Sequence, residues 1–207
     1  MRYQLAIFDF DGTLADSYPW FASRYNAVAE RFGCRRLDAD ELERMRGLHS
    51  RQFLAQVGLP LWRLPALLKH VRRAIAEDAS GIRLFAGMAG TLSELHAAGL
   101  RMAVVSSNSE EVVRKVLGEE LAGRFSHFAC GGSLFGKAAH FRRTIRRLQV
   151  EPARALCIGD ELRDVDAARE AGLDFAAVAW GYTRAESLAP HAKYLFASPA
   201  DIAAAFA

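Results

Sequence analysis

The sequence predicts an α/β fold, a doubly wound parallel sheet with a small all-helical cap inserted after its first strand. Three observations point there. Short apolar runs at residues 5–8, 102–107, 126–130, 155–159, 174–180 and 194–197 alternate with helical stretches, the pattern of repeated βα units. Polar and acidic residues gather just beyond several of these runs, where open α/β sheets place their ligands. Between Leu14 and Leu84 the apolar period lengthens to three and four residues, so the strand pattern is interrupted by helices alone.

In chain order, the run Leu5-Ala6-Ile7-Phe8-Asp9-Phe10-Asp11-Gly12-Thr13 ends an apolar strand in two carboxylates and a glycine turn. Strand alternation would put Asp9 and Asp11 on one face, where their repulsion asks for a cation or a shared proton. Tyr18, Phe21, Tyr25, Val28 and Phe32 then mark an amphipathic helix over 17–31, followed by helical pieces over 39–46, 50–57 and 61–79. Gly33, Gly47, Gly58-Leu59-Pro60 and Gly81 punctuate them. Residues 15–84 therefore read as the helical cap, and 1–14 with 85–207 as the α/β core. Phe85-Ala86-Gly87-Met88 leads into a helix to about Ala98.

The strand Arg101–Val105 delivers Ser106-Ser107-Asn108, after which Ser109 caps a helix opened by Glu110 and Glu111. A hydroxyl beside helix N–H groups suits a phosphate. Lys137, following Gly136, starts a basic helix and could bring an ammonium to the same edge. The run Ala155–Ile158 then delivers Gly159-Asp160-Glu161-Leu162-Arg163-Asp164, with Asp160 and Asp164 one helical turn apart. Hard oxygen ligands in that number suit Mg²⁺. The alanine-rich tail from Ala200 forms a last helix.

Asp9-x-Asp11-Gly12-Thr13, Ser106 after a hydrophobic strand, Lys137, and Gly159-Asp160-x-x-x-Asp164 resemble the ordered motifs of the haloacid dehalogenase superfamily, across residues 9 to 164. The likeness is to its phosphoglycolate phosphatase-like branch. The resemblance implies a Rossmann-like core with a helical cap and a Mg²⁺-dependent phosphatase acting on a small phosphomonoester, phosphoglycolate-like or a sugar phosphate. Asp9 would be the nucleophile that forms an aspartyl-phosphate, and Asp11 the general acid and base. Asp9, Asp11 through its main-chain carbonyl, Asp160 and Asp164 would serve the metal, Asp164 through water or by holding Lys137. Gly12, Thr13, Ser106, Ser107, Asn108 and Lys137 would cradle the phosphate. Asp11 also argues against dehalogenation, because a halide leaving group needs no proton.

Polar turn residues and caps would explain any one of these aspartates singly, but not apolar strands leading into two acidic pairs. Residues Gly131 to Lys137 fit the spacing of a nucleotide-binding loop up to its last position, where Ala138 replaces the required Ser or Thr. The six histidines show no zinc spacing. On the cap, Arg46, His49 and Arg51 follow a helix break and are the candidates for reading a substrate carboxylate or second phosphate. Glu161 is either an outer ligand or a helix N-terminal charge. Tyr18 and Trp20 read as cap packing, and the Arg142-Arg143 and Arg146-Arg147 pairs as a solvated face.

Two other chemistries share these motifs. A phosphomutase similar to β-phosphoglucomutase uses the same core but shields the phosphoenzyme from water. A receiver-like phospho-acceptor switch combines acids, a Ser or Thr and a lysine on a parallel sheet, but here the last acidic cluster follows the lysine and a long insertion follows strand one. Phosphonate hydrolysis through a cap lysine is disfavoured, since Lys69 is the only lysine of the cap.

Composition is that of a globular chain: 207 residues, 51% hydrophobic and 25% charged, with net charge +3. The cap carries 12 Lys and Arg against 8 Asp and Glu, so an anionic substrate would be drawn to it, while nucleic acid is not required. Three scattered cysteines, no leader and no long apolar run point to a reduced, cytoplasmic protein that needs no membrane.

Overall fold

The computed structural model describes residues 2–79, 81–132 and 136–206. Its elements in chain order are β1 (Leu5–Phe8), β2 (Ala15–Asp16), α1 (Tyr18–Phe32), α2 (Ala39–Arg44), α3 (Ser50–Gln56), α4 (Leu64–Glu77), β3 (Arg83–Leu84), α5 (Met88–Ala97) and β4 (Arg101–Val105). They continue with α6 (Glu110–Ala122), β5 (His127–Ala129), α7 (Lys137–Arg147), β6 (Ala155–Gly159), α8 (Leu162–Ala171), β7 (Asp174–Val178), α9 (Ala185–Leu188), β8 (Tyr194–Phe196) and α10 (Pro199–Ala204).

Six strands form one parallel sheet in the order β5-β4-β1-β6-β7-β8. Both faces are covered, and strand alternation sorts the side chains between them. Ala6, Phe8, Met102, Val104, Leu156 and Ile158 point to a core shared with α5, α6 and α10. Leu5, Ile7, Ala103, Val105, Ala155 and Cys157 point to the other, shared with α7 and α8. All four residues of β1 are buried, and its neighbours β4 and β6 lie on opposite sides, so the sheet order reverses there. Such a reversal opens a crevice at the carboxyl ends of the strands.

The helices between residues 18 and 77 gather a third apolar cluster around Tyr25, Leu42, Leu54, Val57 and Leu64. Their local signals are legible: Asp38 and Glu41 form a reciprocal cap on α2, and Pro19 and Pro65 sit in the first turns of α1 and α4. Trp20 and Ile75 instead join the core above the sheet, fastening this helical insert to it.

Four details depart from the sequence reading. β1 stops at Phe8, so a turn rather than strand alternation sets the directions of Asp9 and Asp11. The segment over 61–79 is divided, a 3-10 turn at Leu61–Arg63 preceding α4, because the ring of Pro65 blocks an α-helical carbonyl four residues earlier. β4 and β7 end at Val105 and Val178, short of the expected 107 and 180. Finally, the insertion is not helical to its ends: β2 and β3 pair antiparallel, Ala15 with Leu84 and Asp16 with Arg83. Two-residue strands are too short to show a period. Among the described residues no helix is long and apolar enough to cross a membrane, and the three cysteines are free thiols.

At the amino-terminal end of the sheet, away from the crevice, Asp174 accepts from Tyr3 Oη at 2.6 Å and Lys193 Nζ at 2.5 Å, with Arg2 at 3.7 Å. Partial burial alone would raise the Asp174 carboxyl, but Lys193, Tyr3 and Arg2 outweigh it and hold the group below its ordinary range. A depressed carboxylate contributes stability above its unfolded pKa of about 3.9 and loses it as pH falls through the folded value. Asp174→Asn is therefore expected to lower stability by about 1 kcal/mol at neutral pH, with the deficit vanishing in acid. Denaturant melts of both proteins from pH 7 to pH 3 check this, and a deficit independent of pH would contradict it.

Candidate active site

The crevice is built on the turn after β1. The Phe10 carbonyl accepts from Leu14 and Ala15 at 2.9 Å, and Gly12 at φ +73° donates to the Ala15 carbonyl at 2.8 Å. This turn buries Asp9, whose Oδ1 accepts from the Phe10 N–H at 2.6 Å. Asp11 is aimed elsewhere: its Oδ2 accepts from Asn108 Nδ2 at 2.8 Å.

Asp160 and Asp164 arrive from β6 and the start of α8. Asp160 is fully buried, accepting from Thr13 Oγ1 and from the Tyr182 N–H, both at 2.8 Å. Gly12 and Gly181 press against it so closely that an added Cβ at either would stand 2.1 Å from its side chain. Asp164 caps α8 reciprocally with Glu161 and turns Oδ1 toward Lys137. Lys137, at the first position of α7, lies 2.6 Å from Asp164 Oδ1 and 2.7 Å from Asp9 Oδ2.

One carboxylate oxygen from each of Asp9, Asp160 and Asp164 falls within 4.8 Å of the others, so these residues could hold a metal ion. Asp9 Oδ2, though close to Lys137, is buried and receives no well-directed hydrogen bond. Burial, with the Asp164 charge adding, pushes the Asp9 carboxyl up to about 7 despite Lys137 and Arg163. Burial and the charges of Glu161, Asp9 and Asp164 raise Asp160 well above the ordinary range. Asp164 is the exception: burial would raise it, but Lys137 and Arg163 prevail and hold it low. Burial also raises Asp11, against hydrogen bonds from Ser17 and Asn108. Negative charge thus exceeds what Lys137 and Arg163 offset, and an all-oxygen donor set with an orphaned lone pair fits a hard divalent cation such as Mg²⁺.

The expected phosphate-binding residues divide. Ser106 and Asn108 are buried at the end of β4, Ser106 Oγ accepting from the Asn108 N–H at 3.1 Å, with Ser107 half-buried between them. Ser109, as expected, caps α6. The Gly12 N–H and the Thr13 hydroxyl are instead engaged inside the scaffold, by Ala15 and Asp160. Of the nucleotide-loop spacing, residues 133–135 lie outside the described residues, and Lys137 is committed to Asp9 and Asp164.

The cap candidates divide as well. Arg46 directs its guanidinium at the carbonyls of Gly181 (2.5 Å) and Tyr182 (3.1 Å), at Glu43, and over the Tyr18 ring. It fastens the insert to the loop that holds Asp160. His49 caps α3 and meets Asp166 at 3.1 Å. His49 and Arg51 line a cavity of about 350 Å³ with Lys137, Arg163, Asp166 and Glu170, so side chains of the insert and the core share one charged pocket.

Four further residues take part that the sequence patterns do not single out. Arg163, 11% exposed at its side chain, places Nη2 3.9 Å from Asp9 Oδ2 and 2.5 Å from Glu161 Oε1; a lone cation inside an acidic cluster was its signal. Gly181 and Tyr182 form the wall behind Asp160, and a glycine just after an apolar strand gave no hint of which residue it approaches. Ser50 donates to Glu161 Oε2 at 3.1 Å across the insert boundary, which no local pattern encodes.

Comparison with known proteins identifies the family. The family described as haloacid dehalogenase-like hydrolase matches residues 6–178. A phosphoglycolate phosphatase of Synechococcus elongatus is 34% identical over 201 residues, covering 96% of this chain and 95% of that protein. A tyrosine-protein kinase of Mycobacterium tuberculosis is 30% identical over 189 residues, covering 88% of this chain but 64% of the longer relative. The solved structure of a haloacid dehalogenase-like hydrolase from Streptococcus pneumoniae shares the fold at a TM-score of 0.82 and 21% identity, covering 100% of this chain and 99% of that one. The chain accordingly belongs to the haloacid dehalogenase-like hydrolase family.

Proposed function

We propose that the protein is a Mg²⁺-dependent phosphatase that hydrolyses a small anionic phosphomonoester of the phosphoglycolate type through an aspartyl-phosphate on Asp9. The observation that carries this reading is the buried Asp9 carboxylate with an orphaned oxygen, faced by Lys137 and Arg163. The named activity of the Synechococcus relative, which matches nearly the whole chain, supports the substrate class.

In the first half-reaction an Asp9 oxygen attacks phosphorus and the bond to the ester oxygen breaks. Asp11, whose partly buried carboxyl is raised, gives its proton to the departing alkoxide. In the second, water attacks the phosphorus, Asp11 takes the proton back, and the Asp9–phosphorus bond breaks to release inorganic phosphate. Asn108 holds the Asp11 carboxyl through its Nδ2 donor. Lys137 stabilises the charge on the transferring group, and Ser106 offers a hydroxyl at the end of β4. Asp9 and Asp160 would hold Mg²⁺, with the Asp11 carbonyl as a further ligand and Asp164 behind them; bound there, the ion supplies positive charge for the phosphoryl oxygens. The helical insert acts as a cap, and His49 and Arg51 bring a histidine and a second basic group to the pocket wall, where a carboxylate on the substrate would sit.

A screen of two-carbon, glycolytic, sugar and nucleotide phosphates with Mg²⁺ tests the reading. Turnover is expected for a small carboxylated phosphoester, with loss of the metal by chelation abolishing it. Asp9→Asn is expected to remove all measurable activity and Asp11→Asn to lower kcat by about 10²–10⁴. An active Asp9→Asn protein, or a panel left wholly intact by the wild type, would sink the proposal. Release of an isomerised sugar phosphate in place of inorganic phosphate would identify a mutase.

Gly181→Ala gives an independent check on the metal site. Its Cβ would collide with the Asp160 side chain, and Mg²⁺ affinity measured by calorimetry is expected to fall by about 10–100-fold, as when a group supporting a metal ligand is lost. Unchanged affinity would show that Asp160 is not a ligand.

A further inference from the structure

We propose that Arg163 is a second phosphoryl-binding cation, and that the insert sets its position through Ser50 and Glu161. The inference rests on the phosphatase reading and adds to it a specific link between cap and chemistry.

Arg163 Nη2 stands 3.9 Å from Asp9 Oδ2, beyond direct hydrogen-bond reach. That gap is the size needed for an oxygen on a phosphorus that is approaching Asp9 or bonded to it. The same guanidinium has its Nε buried without a partner, so its donor capacity is not spent within the fold. A planar fork with spare N–H groups matches phosphoryl oxygens, which Lys137, already shared between Asp9 and Asp164, meets only as a point charge. Arg163 also lines the pocket shared by His49, Arg51 and Lys137, so a ligand entering that space meets it.

The guanidinium is not held by the core alone. Glu161 Oε1 accepts from Arg163 Nη2, while Glu161 Oε2 accepts from Ser50 Oγ at the first residue of α3. His49–Asp166 ties the same end of α3 to α8. Glu161 is thus a bridge with one oxygen toward the insert and one toward Arg163. Seating of the insert fixes Glu161, and Glu161 aims the guanidinium at the Asp9 oxygen. Ser50 and Glu161 are positioning residues in this arrangement, since neither touches the reacting group.

The test uses the full chain loaded with Mg²⁺, orthovanadate as the binding probe measured by calorimetry, and p-nitrophenyl phosphate for turnover. Arg163→Met is expected to weaken vanadate at least about tenfold and to lower kcat by about 10²–10³, as for loss of one anion-stabilising donor. Arg163→Lys should recover part of the vanadate affinity, and added guanidinium should raise the rate of Arg163→Ala. Ser50→Ala should weaken vanadate several-fold in the wild type but have little further effect once Arg163 is Met, because the two act in series. Wild-type vanadate affinity in Arg163→Met, or fully additive Ser50 and Arg163 effects, overturns the inference. If the wild type hydrolyses phosphoesters and Arg163→Met does so equally well, this proposal fails alone. If the wild type binds vanadate through Arg163 but hydrolyses no phosphoester, the phosphatase reading fails and the anion site stands.

Discussion

The rest of the structure depends on Lys137 lying between Asp9 and Asp164. Three aspartates and a lysine are buried together at the carboxyl edge of the sheet, where an isolated charge would cost several kcal/mol. The lysine lies against Asp9 and Asp164 and leaves Asp160 without a cation of its own. Much else serves to keep that imbalance in place. The β1 turn fixes Asp9, α7 begins at the lysine, Glu161 caps α8 so that Asp164 faces inward, and Gly12 and Gly181 pack directly against Asp160. Apolar packing on both faces of the sheet supplies the stability that permits such a concentration of charge.

The core was largely legible in the sequence because its signals are local. A buried parallel strand is a short apolar run, and a family motif is a run of residues at the end of one. Leu5–Phe8 and Ala155–Gly159 lie where those patterns put them, and the aspartates that follow converge in space. Contacts between distant segments were not legible. Nothing around Thr13 says that its hydroxyl turns to a carboxylate far along the chain, and nothing around Arg46 reveals the Gly181 and Tyr182 carbonyls it reaches. A hydroxyl or guanidinium near a motif is chemically competent to face ligand, which is the role the sequence suggests for both. The fold satisfies them internally instead. Arg163 shows the converse, a residue inside a quoted motif whose significance appears only when Asp9 is brought beside it.

The comparisons fit this division between core and insert. Relatives with the names phosphoglycolate phosphatase and tyrosine-protein kinase align over most of this chain, although a phosphatase and a kinase differ in where the phosphoryl group goes. On the proposed function, a site built from buried carboxylates and two cations would handle a phosphoryl group whatever else is attached to it. On the same reading, what distinguishes one substrate from another would come from the pocket wall, where His49 and Arg51 stand on the insert and Gly136 and Asp166 on the core.

The insert enters and leaves the core through β2 and β3, two residues each and paired antiparallel. Adjacent strands lie about 4.8 Å apart, so the sheet meets the whole helical segment as though it were a short connection between neighbouring points. Lengthening such a segment adds little closure entropy, because that cost grows only with the logarithm of its length. The ribbon therefore works as a socket. Helices of other sizes and sequences could be grafted at the same two junctions without disturbing the strand register beneath.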